Sequence, residues 1–376
     1  WTGIFTPTAT NTQDWSNILL LGTSYTDTAG NTGTAAWTAN YIVDDNAPTV
    51  SSFTLSDTAL KAGDNATVTL GFSEVVASFS SDADITVPNL DNGTTSGTLA
   101  AMTSSDNITW TGTFTPTANT EDDNNTLSLA TSWTDQVGNT GTAEESENYE
   151  VDTLAPTVSS FTLSDTALKA GDNATVSLEF SEVVVGFSSA DDITVDNGTL
   201  ATMTSSDNIT WEGTFTPLAN TEEDNTTLSL GTSYTDLAGN AGPAATSSSY
   251  VVDTKAPSVS SLQLTDGVTT ISTFTDRCLP VTSNIMVTFD DVMDRDSITT
   301  NTSDTYCRAG SLLVSSNNFC DGEGCCVQMS FGDPEASNSN RTFTLDPNGN
   351  LSYDTTYKVR VTTRAKDVLG NAMSKD

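Results

Sequence analysis

"FTLSDTALKAGDNATV", residues 53–68, occurs again without a change at 161–176. A second stretch, "MTSSDNITW", is shared by 102–110 and 203–211. So long an interval marks whole domains in tandem, because solenoid repeats recur every ~20–50 residues. In and around the repeat, "TVSSFTLSD", "ATVTLGFS", "ITWTGTFTP", "TLSLATSWT" and "NYEVD" alternate apolar with polar residues over short spans closed by turn residues. A period of two sets one face of an extended segment on a core and the other in water, the signature of half-buried antiparallel strands. No stretch reads as a long amphipathic helix.

Pro48 to Pro156 is 108 residues and Pro156 to Pro257 is 101, the difference being the longer loop "PNLDNGTTSG" at 88–97. A unit of about 100 residues with about seven strands is the size of an immunoglobulin-like sandwich. The "A-P" pairs at 47–48, 155–156 and 256–257 fall where one unit stops and the next begins; proline ends ladder pairing and stiffens a short connection. The expected fold is all-β: tandem immunoglobulin-like β-sandwich domains in an elongated rod. Its parts are the C-terminal piece of a repeat in 1–45, repeats in 46–153 and 154–254, and a divergent Cys-containing domain in 255–376 that lacks its last strand. Trp1 aligns with Trp110 and Trp211 in the fifth strand of a unit, so 1–45 is expected to hold three strands. Both ends then read as cuts through domains of a longer polypeptide.

A chain of 376 residues suits two to four domains. Against 49 acidic residues stand 12 Lys and Arg, a formal charge of −37. That balance argues against nucleic acid and anionic membrane surfaces as partners and for cations. Histidine is absent, which removes the commonest general base and transition-metal ligand. The sequence carries no nucleophile elbow, dinucleotide fingerprint, P-loop or complete EF-hand loop, so no enzyme is expected. Nor does it carry an apolar run long enough to cross a bilayer as a helix.

The stretches "DTLAPTVSSFTLSDTALKAGDNATVSLEFSEVV" and "SYTDLAGN" resemble the Ig-like repeats of giant bacterial adhesins and biofilm proteins. "APSVSSLQLTDG", "SNIMVTFDDVMDRDSI" and "RTFTLDPNGNLSYDTTYKVRVTTRAKDVLGNAM" resemble the bacterial Ig-like domain of S-layer and other surface proteins. The resemblance implies a spacing and stiffening role outside the cell, at the surface or secreted, with calcium at unit junctions. All five cysteines, Cys278, Cys307, Cys320, Cys325 and Cys326, lie in the last unit. Without His or a paired C-x-x-C they read as disulfides of an exported protein in preference to zinc ligands, with adjacent Cys325 and Cys326 bonded to different partners.

One turn keeps returning: "SYTDTAGN" at 24–31, "SWTDQVGN" at 132–139, "SYTDLAGN" at 233–240 and "RAKDVLGN" at 364–371. Each has an Asp and, four residues on, an Asn. Tracing seven up-and-down strands brings the turn to the pole of its sandwich, beside a Glu ending the second strand and the Asp of the incoming linker. The sets are Asp44, Glu74, Asp135 and Asn139; Asp152, Glu182, Asp236 and Asn240; and Asp253, Asp290 or Asp291, Asp367 and Asn371. Converging carboxylates repel, and a hard cation with oxygen ligands, calcium above all, reverses the sign. The competing reading is a plain turn, since Asp and Asn bond their own backbone.

Other features read as structural. The acidic loops "TEDDNN" at 120–125 and "TEEDNT" at 221–226 are expected to be solvated. Trp110 and Trp211 are expected in packing and not as carbohydrate platforms. Lys61 and Lys169 are expected in a surface turn and not in isopeptide bonds. The functional expectation is a structural stalk whose neighbours are further Ig-like domains of the same chain. Its alternative is a filament or sheath subunit in which copies complete one another by strand addition.

Overall fold

The computed structural model describes residues 1–7, 13–90, 93–266, 270–271, 280–303, 305–320 and 322–374. Strands are short and helices are reduced to single turns at Ser81–Asp84, Ser189–Asp192 and Arg295–Ser297. In the first repeat Val50–Leu55, Ala66–Phe72, Thr109–Pro116 and Gly97–Leu99 form one antiparallel sheet in that order. Along Ala66–Phe72 the residues Ala66, Val68, Leu70 and Phe72 turn inward, as the alternation "ATVTLGF" requires. Opposite them, Glu121–Asn125, Tyr149–Asp152 and Ala59–Lys61 form a three-stranded sheet, joined by a small sheet of Glu144–Glu145, Ser128–Leu129 and Ile85–Thr86.

The second repeat copies this plan. Phe53 faces Leu70 across the first sheet, and Phe161 faces Leu178 in the same register. Phe114 packs edge-on to Tyr149, and Phe215 packs edge-on to Tyr250. Each such buried side chain contributes about 1.5–3 kcal/mol, so Leu70→Ala would cost about 2–5 kcal/mol. One feature departs from the up-and-down tracing. Ala59–Lys61 runs parallel to Tyr149–Asp152, and Ala167–Lys169 runs parallel to Tyr250–Asp253. The chain crosses from one sheet to the other after Leu55, so its first segment contributes to both layers. Trp110 and Trp211 pack on the core against Phe79 and Phe187.

Residues 255–376 place Val259–Thr265, Asn284–Phe289 and Thr342–Leu345 in one sheet and pair Leu312–Ser315 with Lys358–Val361 in another. Cys307 bonds Cys326 and Cys320 bonds Cys325, so the neighbouring cysteines do take different partners; Cys278 lies outside the described residues. In 1–45, Gln13–Asn17 pairs with Tyr41–Asp44 and Leu20–Leu21 with Ala36–Trp37. The chain divides into two compact units, Trp1–Pro156 with Thr235–Gly242, and Thr157–Tyr234 with Pro243–Asp376.

Candidate metal centre

Each recurring turn is closed by its own aspartate. Asp135 Oδ1 accepts the N–H groups of Val137, Gly138 and Asn139 at 2.9, 2.7 and 2.9 Å. Gly138 stands at φ +100, a conformation that side-chain-bearing residues resist. Asp236 repeats the pattern with Gly239 and Asn240 at 2.7 and 2.8 Å. Asp367 repeats it with Leu369, Gly370 and Asn371 at 3.0, 2.7 and 2.8 Å. Local sequence suffices for all of this.

Tertiary structure adds the carboxylates. Asp44, Glu74 and Asp135 present oxygens within 4.8 Å of one another, and so do Asp253, Asp291 and Asp367. Asp152 and Asp236 approach one another equally closely. Glu74 and Glu182 each follow a Phe-Ser pair at the end of the second strand, and in each repeat that serine Oγ accepts a backbone N–H, from Thr49 or Thr157, at 2.9 Å.

The third cluster takes Asp291 and not Asp290. Side chains alternate along a strand: Phe289 is buried, Asp290 turns out, and Asp291 turns back in. Asp290 instead accepts the Ser258 N–H at 2.7 Å and lies 3.6 Å from the Lys255 ammonium. It therefore stands where Ser73 and Ser181 stand. Setting Phe289 on Phe72 and Phe180 would have identified Asp291 from sequence.

The asparagines also differ from expectation. Asn240 Nδ2 donates to Asp236 Oδ2 at 2.8 Å and to the Asp152 carbonyl at 2.9 Å, while its Oδ1 accepts the Ala62 N–H at 2.8 Å. Asn371 Nδ2 donates to the Asp253 carbonyl at 2.8 Å, and its Oδ1 accepts the Ala170 N–H at 2.9 Å. Asn139 Nδ2 donates to Asp135 Oδ2 at 2.7 Å and to the carbonyls of Asp44 and Asn46 at 3.1 Å. A backbone N–H on the far side fixes which end of the Asn240 and Asn371 amides is oxygen. That oxygen faces away from the carboxylates, so these asparagines staple turn to linker and are not oriented as cation ligands.

The carboxyls are strained electrostatically. Burial pushes Glu74 up, and Asp44 and Asp135 push it further, against the Gln13 amide that donates to it at 3.1 Å. Asp135 is also raised by burial, but the hydrogen bonds from Asn139, Gly138 and Val137 outweigh that and leave it below the usual range. Asp152 is raised by burial, then by Asp236 and Glu121, with the Leu154 N–H opposing. Asp253 is pushed up to about 6 by burial, with Asp367, Asp291 and Glu222 adding and the Lys255 N–H opposing. Asp291 is raised by burial, then by Glu222 and Asp367, with the Val292 N–H and Arg341 opposing.

Asp367 is fully buried, and its Oδ2 has no hydrogen-bond partner. A buried carboxylate oxygen without a donor costs about 1–3 kcal/mol or more. The carboxylates of these clusters offer oxygen donors alone, a set that would suit a hard cation better than zinc or copper. Sequence reasoning missed Gln13, which bridges Asp44 and Glu74, and Lys255, which lies 3.1 Å from Glu222. Glu121 and Glu222 are exposed, as expected of a solvated acidic stretch, but they lie on strands, cross-strand from Asp152 and Asp253.

Residues 44–151 and 152–252 match one family model described as a bacterial Ig-like domain, and residues 253–376 match a second model of the same description. No curated protein matches the chain. Among solved structures, the Escherichia coli adhesin FdeC is 14% identical with a TM-score of 0.28, covering 86% of this chain and 94% of that one. An I-band fragment of titin is 10% identical with a TM-score of 0.36, over 86% and 94% of the two chains. The S-layer protein rSbsC is 14% identical with a TM-score of 0.20, over 86% of this chain and 55% of that one.

Proposed function

The chain belongs to the bacterial Ig-like domain family, and from that premise we propose that it is a structural stalk segment of an extracellular surface protein, stiffened by calcium where one domain meets the next. The observation that carries the reading is the buried, unpartnered Asp367 Oδ2, which shares its cluster with Asp253 and Asp291. Asp253, Asp291 and Asp367 would hold one ion, and Asp44, Glu74 and Asp135 another. Asp152 and Asp236, which also lie close together, would supply carboxylate oxygens in the same way. When bound, the ion contributes the positive charge that turns mutual repulsion into a clamp.

The protein's own residues do the rest. Asn139, Asn240 and Asn371 tie each turn to the carbonyl of the linker aspartate, so neutralising the carboxylates fixes linker and turn together. Two disulfides in the last domain fit an oxidising, extracellular setting, where calcium is plentiful. The role is mechanical, and adhesion or surface display is the biological outcome it would serve.

Calorimetry of the chain in calcium and in EGTA tests the reading. Calcium at about 100 times its dissociation constant should stabilise by about 2.7 kcal/mol per site. Identical unfolding curves in the two buffers would sink the proposal.

A further inference from the structure

Charge is divided very unevenly along the chain. Residues 1–254 hold 34 of the 49 acidic side chains and only two basic ones, Lys61 and Lys169; the other ten Lys and Arg fall in 255–376. Four of those ten gather on one face. Lys358 and Arg360 are exposed on the strand Lys358–Val361, whose Val359 and Val361 turn inward. Beside them Arg364 Nη1 donates to the Arg308 carbonyl at 3.3 Å, which brings these two arginines together.

The face is held in shape. The Arg360 guanidinium lies 3.9 Å from the centre of the Phe319 ring, and that of Arg308 lies 5.1 Å from the Tyr306 ring. A guanidinium stacked on a ring keeps its N–H edge open to bidentate contact. Cys307, between Tyr306 and Arg308, is bonded to Cys326, and Cys320, next to Phe319, is bonded to Cys325. Both disulfides therefore anchor the aromatic supports of the basic face.

Among the described residues the ion pairs involve Lys169, Lys255 and Arg341, and none of these four. Clustered cations repel one another. A surface rich in carboxylates removes that cost, and the chain carries one. The strand Glu121–Asn125 lies at the edge of its sheet with Glu121 and Asp123 exposed.

We propose that the basic face of residues 306–364 docks on the acidic edge strand Glu121–Asn125 of a second copy of the chain. The two surfaces differ, so the contact is head-to-tail and can propagate from copy to copy. It needs no exchange of strands and does not rest on the calcium reading.

Sedimentation velocity of the whole chain in EGTA tests this at about 0.1 M salt, where charges are screened over about 10 Å and net repulsion between copies is damped. The mass should rise with concentration above that of one chain and return to it near 1 M salt, where the screening length is about 3 Å. Reversal at the basic face, R360E with R364E, should weaken association about tenfold or more, and so should E121K with D123K. Mixing the two reversed proteins should restore it. Unchanged circular dichroism would show that these exposed substitutions leave the fold intact. A monomer at every concentration, or association indifferent to both reversals, would overturn the proposal. So would binding of phosphatidylglycerol vesicles or polygalacturonate that R360E with R364E abolishes while the chain stays monomeric.

Discussion

The turns Asp27–Asn31 and Asp367–Asn371 are closed by the same backbone bonds and end in different chemistry. Asp27 Oδ1 accepts the N–H groups of Ala29 and Asn31 at 2.9 and 2.8 Å, much as Asp367 Oδ1 does in its own turn. The Asn31 amide then folds back onto Asp27 Oδ2 at 2.8 Å, and the turn is exposed. Asn371 directs its amide to the linker carbonyl of Asp253 instead, and Asp367 Oδ2 is left buried without a donor. Asp27 lies below the usual carboxylate range, chiefly through the Asn31 side-chain bond and then its backbone. The motif is thus a competent turn wherever it occurs, and a candidate cation site only where a linker aspartate and a strand-end carboxylate meet it.

Removing the staple should have the largest effect on this contrast. Asn371→Ala strips partners from the Asp253 carbonyl and the Ala170 N–H and should cost about 3 kcal/mol in calcium and in EGTA alike. Next comes Asp367→Asn, which keeps an acceptor for the turn but removes one charge. It should abolish about 2.7 kcal/mol of stabilisation by calcium at about 100 times its dissociation constant and be neutral or slightly stabilising in EGTA. Loss of stability in both buffers would return the turn to a purely structural role.

A pH series gives a smaller effect of defined sign. Asp253, raised to about 6 from 3.8, holds its proton more tightly folded than unfolded. In EGTA its contribution is therefore fully present below about 3.8 and lost as pH rises through about 6. Stability should fall between those values without calcium, and calcium should stabilise more at pH 7 than at pH 5, because protons and the ion compete for the same oxygens. The smallest effect belongs to Asp27→Asn, which should leave the calcium-induced shift in unfolding temperature unaltered. Any loss of that shift would mean that the exposed turn also binds the ion.

Much of this was legible in the sequence. The repeat of "FTLSDTALKAGDNATV" and the alternation of "ATVTLGF" determine tandem all-β units, because a period of two can bury a face only as a strand. The Asp and Asn of each turn, and the absence of His, already select oxygen chemistry. The parallel pairing of Ala59–Lys61 with Tyr149–Asp152 was hidden, because pairing direction depends on the partner strand and not on local pattern. So was the direction of the Asn240 and Asn371 amides, which the Ala62 and Ala170 N–H groups decide; the choice of Asp291 over Asp290 was legible through strand parity once Phe289 is set on Phe72 and Phe180.

Composition revealed an acidic chain but not that four of its twelve Lys and Arg gather on one face of residues 255–376. That placement comes from the pairing of Leu312–Ser315 with Lys358–Val361 and from two disulfides whose connectivity no spacing dictates. The sequence by itself determined strands, turns and donor types, which are local consequences of side-chain chemistry. Only the tertiary structure decided which carboxylates share a volume and which lack a partner, because convergence and desolvation are properties of chain segments far apart in sequence.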